Sequence, residues 1–224
     1  MPHFDIIKKS ETKQSFRVSK IEADFDVKPE HAIEHFVGDI KIPEKWNIGV
    51  IVGGSGTGKS TIAQEIFGNE LVSGFIYSAE SVIDDMPSCS VDEITKMFYA
   101  VGFGSVPSWL KPYSVLSNGE KMRVDLARAL LEKNFVVFDE FTSVVDRQVA
   151  QTACLAIQKA VKRANKKFIA VSCHYDILDW LQPDWVFDTN TMQNFFGGAH
   201  GRLKNSRSED AAMKSGQNLG VITI

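Results

Sequence analysis

The residues equipped for chemistry begin at Gly53. Positions 53–61 read Gly-Gly-Ser-Gly-Thr-Gly-Lys-Ser-Thr, which puts Gly53, Gly58, Lys59 and Ser60 on the spacing G-x-x-x-x-G-K-[ST]. Glycines at these intervals let the backbone N–H groups of the loop, those of Ser55, Gly56 and Thr57 included, curl inward around anionic oxygens. A helix running on through Ser60 and Thr61 adds the positive end of its dipole. Lys59 then reaches the β- and γ-phosphates of a nucleotide, and the Ser60 hydroxyl can ligate Mg²⁺. The apolar run Trp46–Gly54 before the loop, and the helical spacing of Ile62 and Ile66 after it, give the strand-to-helix context this chemistry needs.

A second group lies downstream. Phe135–Phe138 is a short apolar run that ends in Asp139 and Glu140. Carboxylates at the C-terminal end of a buried strand sit where open α/β sheets bind ligands. Asp139 is expected to hold Mg²⁺ through a water, and Glu140 to accept a proton from an attacking water or hydroxyl. His174 follows the apolar run Phe168–Cys173 and is a candidate γ-phosphate contact; a plain strand-end histidine is the alternative. Ser117 to Glu120 open a long amphipathic stretch, where Ser117 reads as a helix N-cap and Glu120 suits the first turn.

The elements that must position these residues alternate. Ser15–Val27 and Phe36–Ile42 read as strands, Trp46–Gly54 as a buried strand, and Ser60–Gly68 as a helix closed by Gly68. From about Ser81 to Pro112 the chain carries Pro87, Pro107 and Pro112 around a helical stretch at Val91–Gly102, which predicts a small helical insertion. Lys121–Lys133 and Val149–Ala164 read as helices, Asn134–Glu140 and Lys167–Asp176 as strands. After Asp188 the pattern weakens, and 197–224 read as a loop-like tail. An α/β fold with a mostly parallel sheet is expected, as one domain over 1–224 with a helical subdomain at about 82–130.

Composition narrows the function classes. The 224 residues are 44% hydrophobic and 24% charged, enough apolar content for a core, and the net charge of −3 gives no overall attraction to nucleic acid or an anionic membrane. Cys89, Cys154 and Cys173 are too few and too scattered for a disulfide framework or a zinc site. No apolar run approaches the ~20 residues of a membrane span, and residues 1–20 hold no apolar leader stretch. A soluble, cytoplasmic protein is expected.

Taken in order, "GGSGTGKST", "LSNGEKMRVDLARAL", "VVFDE", "SVVD" and "VSCH" resemble the ABC-type ATPase family, in which a Walker A loop, an LSGGQ-type signature, a Walker B with glutamate, a D-loop and a switch histidine follow one another. The resemblance runs from about Phe16 to Asp188. It implies a P-loop core with an N-terminal antiparallel β portion, ATP and Mg²⁺ as cofactors, and ATP hydrolysis. It also implies a nucleotide-dependent homodimer in which Ser117 and Gly119 of one copy meet the γ-phosphate held by the other. Asp146 falls in the D-loop, Glu80 or Ser81 falls near the Q-loop with Glu80 as a metal contact, and Phe25 falls where an adenine-stacking aromatic belongs, a core phenylalanine being the alternative. The sequence departs from the pattern at Asn118 (for the first signature glycine), at Glu120 (for the glutamine) and at the missing Q-loop glutamine. The stretch from Lys59 to Ser117 is also shorter than in transporter ATPases of this family. Trp46–Gly53, His174–Trp180 and Pro183–Thr189 look similar to non-transporter members that, in longer relatives, accompany a predicted acetyltransferase domain.

The expected function is an ATP-hydrolysing dimer coupled to a nucleic-acid or protein partner. The alternatives are a transporter's nucleotide-binding subunit, a P-loop phosphotransferase acting on a small-molecule hydroxyl or a modified DNA base, and a nucleotide-gated scaffold.

Overall fold

The structure is a computed structural model that describes residues 1–10, 13–26, 32–72 and 74–197 of the chain. It divides into two compact units, Met1–Lys41 and Ile42–Ile224. In the first unit, β1 (His3–Ser10) pairs antiparallel with β2 (Ala32–Asp39), and α1 (Phe16–Phe25) lies between them in sequence. This is the antiparallel N-terminal portion: β2 overlaps the strand expected at Phe36–Ile42, whereas β1 comes from residues for which no strand was expected. The strand expected at Ser15–Val27 is a helix. Its apolar residues Phe16 and Val18 alternate only at the start; Val18, Ile21 and Phe25 are spaced by three and four, the helical interval. Ser15 caps it by accepting from the Val18 N–H at 3.2 Å, and Lys20 and Asp24 pair one turn apart at 3.1 Å.

The second unit is a six-stranded sheet of order β4-β5-β6-β3-β7-β8. β3 (Ile48–Val52), β4 (Leu71–Val72), β5 (Phe135–Phe138), β6 (Lys167–Ser172) and β7 (Trp185–Asp188) run parallel, and β8 (Gln193–Phe196) closes one edge antiparallel to β7. β3 and β7 are buried along their whole length, as strands covered on both faces must be. Because the pairing is parallel, the residues that follow β3, β5, β6 and β7 emerge along one edge of the sheet: Gly53, Asp139, Cys173 and Thr189.

Helices α2 (Lys59–Phe67), α5 (Asn118–Glu132), α6 (Arg147–Arg163) and α7 (Ile177–Leu181) supply the crossovers. Gly68 follows α2 as expected, in right-handed rather than left-handed backbone. The helical insertion comprises α3 (Val91–Ala100), α4 (Val106–Trp109), a 3-10 turn at Tyr113–Val115 and the start of α5. Its core is aromatic: Phe98 packs against Phe103 and Trp109, and the Trp109 indole N–H donates to the Phe103 carbonyl at 2.9 Å. Beside it the Tyr77 and Tyr113 rings stack 3.9 Å apart and both hydroxyls donate to Asp125, at 2.7 and 2.8 Å. Among the described residues no helix is long and apolar enough to cross a membrane. The tail expected at 197–224 lies, beyond Gly197, outside the described residues.

Candidate nucleotide site

The loop from Gly53 to Gly58 has the backbone that an anion nest requires. Gly56 and Gly58 sit at φ +78° and +82°, a left-handed conformation that favours glycine. Gly58 is the N-cap of α2 and offers no side chain, so the first-turn amides of Lys59, Ser60 and Thr61 precede the first helical bond, from the Ile62 N–H to the Gly58 carbonyl. The Lys59 ammonium bends back into the loop and donates to the Gly54 carbonyl at 2.6 Å. Ser55 is exposed at the tip, and Ser60 is half-buried at the start of the helix.

The loop is braced from β7, through residues that sequence reasoning did not select. A Cβ on Gly53 would lie 2.0 Å from the Thr189 hydroxyl, so only glycine lets the two segments approach. Thr189 bonds the Thr57 hydroxyl at 2.6 Å, Thr57 donates to the Gly54 carbonyl at 2.9 Å, and the Asn190 side-chain oxygen accepts from the Gly54 N–H at 3.1 Å. Asn190 also donates to the Tyr175 hydroxyl at 2.8 Å, which in turn donates to the buried Asp188 at 3.0 Å. Tyr175 neighbours His174, so a chain of hydrogen bonds links the phosphate loop to the loop after β6. A Thr-Asn pair directly after a buried strand was the available signal.

Asp139 and Glu140 follow β5. One oxygen of Asp139 accepts from the Glu140 N–H at 2.8 Å, which fixes the carboxylate and leaves the other oxygen without a hydrogen bond among the described residues. Glu140 is exposed and holds φ +50°, and Thr142 holds φ +66°. Non-glycine residues in this region are strained and cluster at functional sites. The Phe141 N–H donates to the Val171 carbonyl of β6 at 2.9 Å, so the strained turn is anchored between two core strands. His174 follows β6, with its own N–H donating to the Ser172 hydroxyl at 3.1 Å. Burial, and then the nearby Arg147 guanidinium, push the His174 pKa down, while Asp176 and Glu140 pull the other way. His174 and Glu140 therefore lie within electrostatic reach of each other. Arg147 is held by Asp176 through Nε at 2.8 Å and a second, shorter bond from Nη2.

At the start of α5, Ser117 is the N-cap and Glu120 completes a capping box: the Glu120 carboxylate accepts from the Ser117 N–H at 3.0 Å and from its hydroxyl at 2.8 Å. The Ser108 hydroxyl first, and then these Ser117 bonds, hold the Glu120 pKa down. Gly119 is half-buried beside Val149 and Arg123. Asp146 is the N-cap of α6, accepting from the Gln148 and Val149 N–H groups at 3.0 and 2.9 Å. Phe25 belongs to the N-terminal unit, where it ends α1 with its ring 69% exposed. Glu80 is exposed in the bend before Ser81 and joins no ion pair among the described residues.

This residue set fits a nucleoside triphosphate and a divalent cation. The uncapped helix start and left-handed glycines present amides to phosphate, and Ser60 and Asp139 offer hard oxygen donors. Among the described residues no three His, Cys, Asp or Glu side chains cluster as a metal cage.

The fold is that of the ABC ATPase cassettes. The chain superposes on CbiO1 of Clostridium perfringens, part of the ABC transporter complex CbiONQ, with a TM-score of 0.58 and 18% identity over 79% of this chain and 85% of that one. It superposes on the ATP-binding cassette MJ0796, solved as a dimer with ADP and Pi, with a TM-score of 0.56 and 14% identity over 83% and 92% of the two chains. In sequence, the mitochondrial iron–sulfur clusters transporter ABCB7 of Homo sapiens is 30% identical along an aligned stretch of 162 residues that takes in 54% of this chain and 22% of the human protein. The chain matches less than a quarter of the length of such curated relatives. No family model matches it.

Proposed function

We propose that this chain binds ATP with Mg²⁺ and hydrolyses it, closing against a second copy so that each nucleotide lies between one phosphate loop and the partner's α5 N-terminus. The carrying observation is the open nest at Gly53–Ser60, with Gly56 and Gly58 left-handed and α2 uncapped, on the same sheet edge as Asp139, Glu140 and His174. Lys59 leaves the Gly54 carbonyl to meet the β- and γ-phosphates. Ser60 and Asp139 hold Mg²⁺, which neutralises charge on the phosphate oxygens. Glu140 takes the proton of the attacking water, and neutral His174 orients the γ-phosphate through its ring nitrogen. Gly119 and Ser117 supply anion contacts across the dimer.

The likeness to transporter proteins supports a transporter's nucleotide-binding subunit, acting with a membrane-spanning partner, more than the nucleic-acid or soluble-protein partner expected from the sequence. One observation favours phosphate transfer as a second reading. A cavity of about 300 Å³ beside Asp139 and Glu140, lined also by Tyr113, Lys121, Asp125 and Ser143, leaves room for an acceptor hydroxyl.

Glu140→Gln tests the hydrolytic reading, because the amide keeps the shape and cannot take a proton. The variant should bind ATP normally, lose at least about a hundredfold in turnover, and shift from monomer to dimer with ATP on sizing. Unchanged turnover overturns the assignment of the base. Labelled γ-phosphate arriving on an added hydroxyl compound instead of water moves the second reading to first.

A further inference from the structure

A second cavity among the described residues is remote from the phosphate loop. It is a groove of about 880 Å³ between α3, α5 and α6. Its floor is apolar and low: Met97 and Ala100 from α3, Leu131 from α5, and Leu155, Ala156 and Ala160 from α6. Leu155 and Tyr99 stand 43% and 58% exposed there, an arrangement that leaves apolar area in water. The rim is basic. Lys96, Lys159, Arg163 and Lys166 face Glu93 alone. Lys166 is tied to the Leu130 and Lys133 carbonyls, but Lys96, Lys159 and Arg163 join no ion pair among the described residues.

We propose that this groove is the docking site for an acidic amphipathic helix of a partner protein. The α6 wall from Gln151 to Ala164 is ~20 Å long at 1.5 Å per residue, the length of a helix of three to four turns. The small floor residues let a fourth helix approach closely, its apolar side chains covering Leu155 and Tyr99. Its carboxylates then meet the unpaired ammonium and guanidinium groups on the rim. The charge pattern argues against the other occupants. The chain's own residues 198–224 carry Arg202, Lys204, Arg207 and Lys214 against Glu209 and Asp210, so the rim repels them. Helix α1 of a second copy balances Arg17 and Lys20 with Glu22 and Asp24, and offers the rim no net attraction. A nucleic acid would use the rim and leave the apolar floor in water, and a concave groove is a poor match for a membrane surface.

The test pans a display library of randomised peptides of about 15 residues, matched to the ~20 Å wall, against the full chain. Leu155→Asp/Lys159→Glu/Arg163→Glu serves as counter-selection. Enriched sequences should carry an excess of Asp and Glu with apolar residues at i, i+3, i+4 and i+7. The best of them, fluorescently labelled, should bind Lys159→Glu/Arg163→Glu at least about tenfold more weakly than the parent. ATP affinity should be equal in the two proteins, since neither residue is near the phosphate loop. No enrichment, enrichment of basic or non-amphipathic sequences, or equal binding to the variant overturns the proposal. So does retention of phosphatidylserine vesicles or duplex DNA, or self-association, that is lost in the same variant. A chain that failed to bind ATP yet selected acidic helices would remove the proposed function and leave this inference standing.

Discussion

The Lys59 ammonium donates to the Gly54 carbonyl at 2.6 Å, inside the loop that it serves. The loop therefore carries its own cation in place before any phosphate arrives, and binding exchanges a carbonyl partner for an anionic one. Lys59→Ala removes that charge-assisted contact, worth about 3 kcal/mol, so ATP affinity by calorimetry should fall ~100-fold or more. Thermal stability should barely change, because the bond lost joins a side chain to its own loop.

Glu120 puts a carboxylate at the start of α5, the helix end that the partner's nucleotide would approach in the proposed dimer. Glu120→Gln preserves the capping box, since an amide oxygen still accepts from Ser117, and removes the negative charge. ATP-driven dimers should then form at lower protein concentration on sizing, with the gap to the parent narrowing as salt is added. An unchanged dimer threshold would mean that no phosphate comes to α5.

Ser117→Arg should bind ATP like the parent and neither dimerise nor hydrolyse, because in the proposed dimer its long cation would stand in the closing seam. Mixing it with Lys59→Ala should restore part of the turnover. One site of that heterodimer pairs an intact phosphate loop with an intact α5 start. A working monomer would show no rescue.

His174 carries a pKa pushed below its usual 6.5 by burial and by Arg147. If the neutral ring is the working form, turnover should hold at pH 6.5 and fall only at lower pH. Arg147→Gln removes the second cause of the depression, so the acid limb should move to higher pH. The stability contribution has the matching sign: the unfolded chain takes the proton more readily, so stability declines as pH falls through 6.5 and the loss is complete below the folded pKa.

Asp125→Ala leaves the Tyr77 and Tyr113 hydroxyls without their acceptor and should cost about 2–4 kcal/mol in urea unfolding. Asp125→Asn keeps one acceptor oxygen and should cost less. A loss that is equal in the two variants would assign the stability to the charge and not to the phenol bonds.

β3, β5 and β6 were legible because parallel strands buried on both faces read as short apolar runs, and the loop because G-x-x-x-x-G-K-[ST] is dictated by phosphate, whereas β4, β7 and β8, of two to four residues each, were not. α1 was missed because its first apolar residues alternate before the helical interval takes over. β1 was missed because Phe4, Ile6 and Ile7 do not alternate cleanly and its second half is Lys8-Lys9-Ser10. The positive φ values at Glu140 and Thr142 had no signal at all, since nothing local asks a glutamate or threonine for that backbone. The Ser117–Glu120 box was readable as a cap. That the cap also posts an anion at the expected seam follows only from the bonds that it makes.

Thr189 and Asn190 have a consequence for any attempt to shorten the protein. The five ordered motifs, from "GGSGTGKST" to "VSCH", end by His174, and a fragment stopping there would keep all five. It would lack the two side chains that clasp Gly54 and Thr57, and the strand that flanks β3. The smallest portable piece that keeps the loop braced must therefore extend through Asn190. A transplant that ends sooner would carry the loop's letters without its shape.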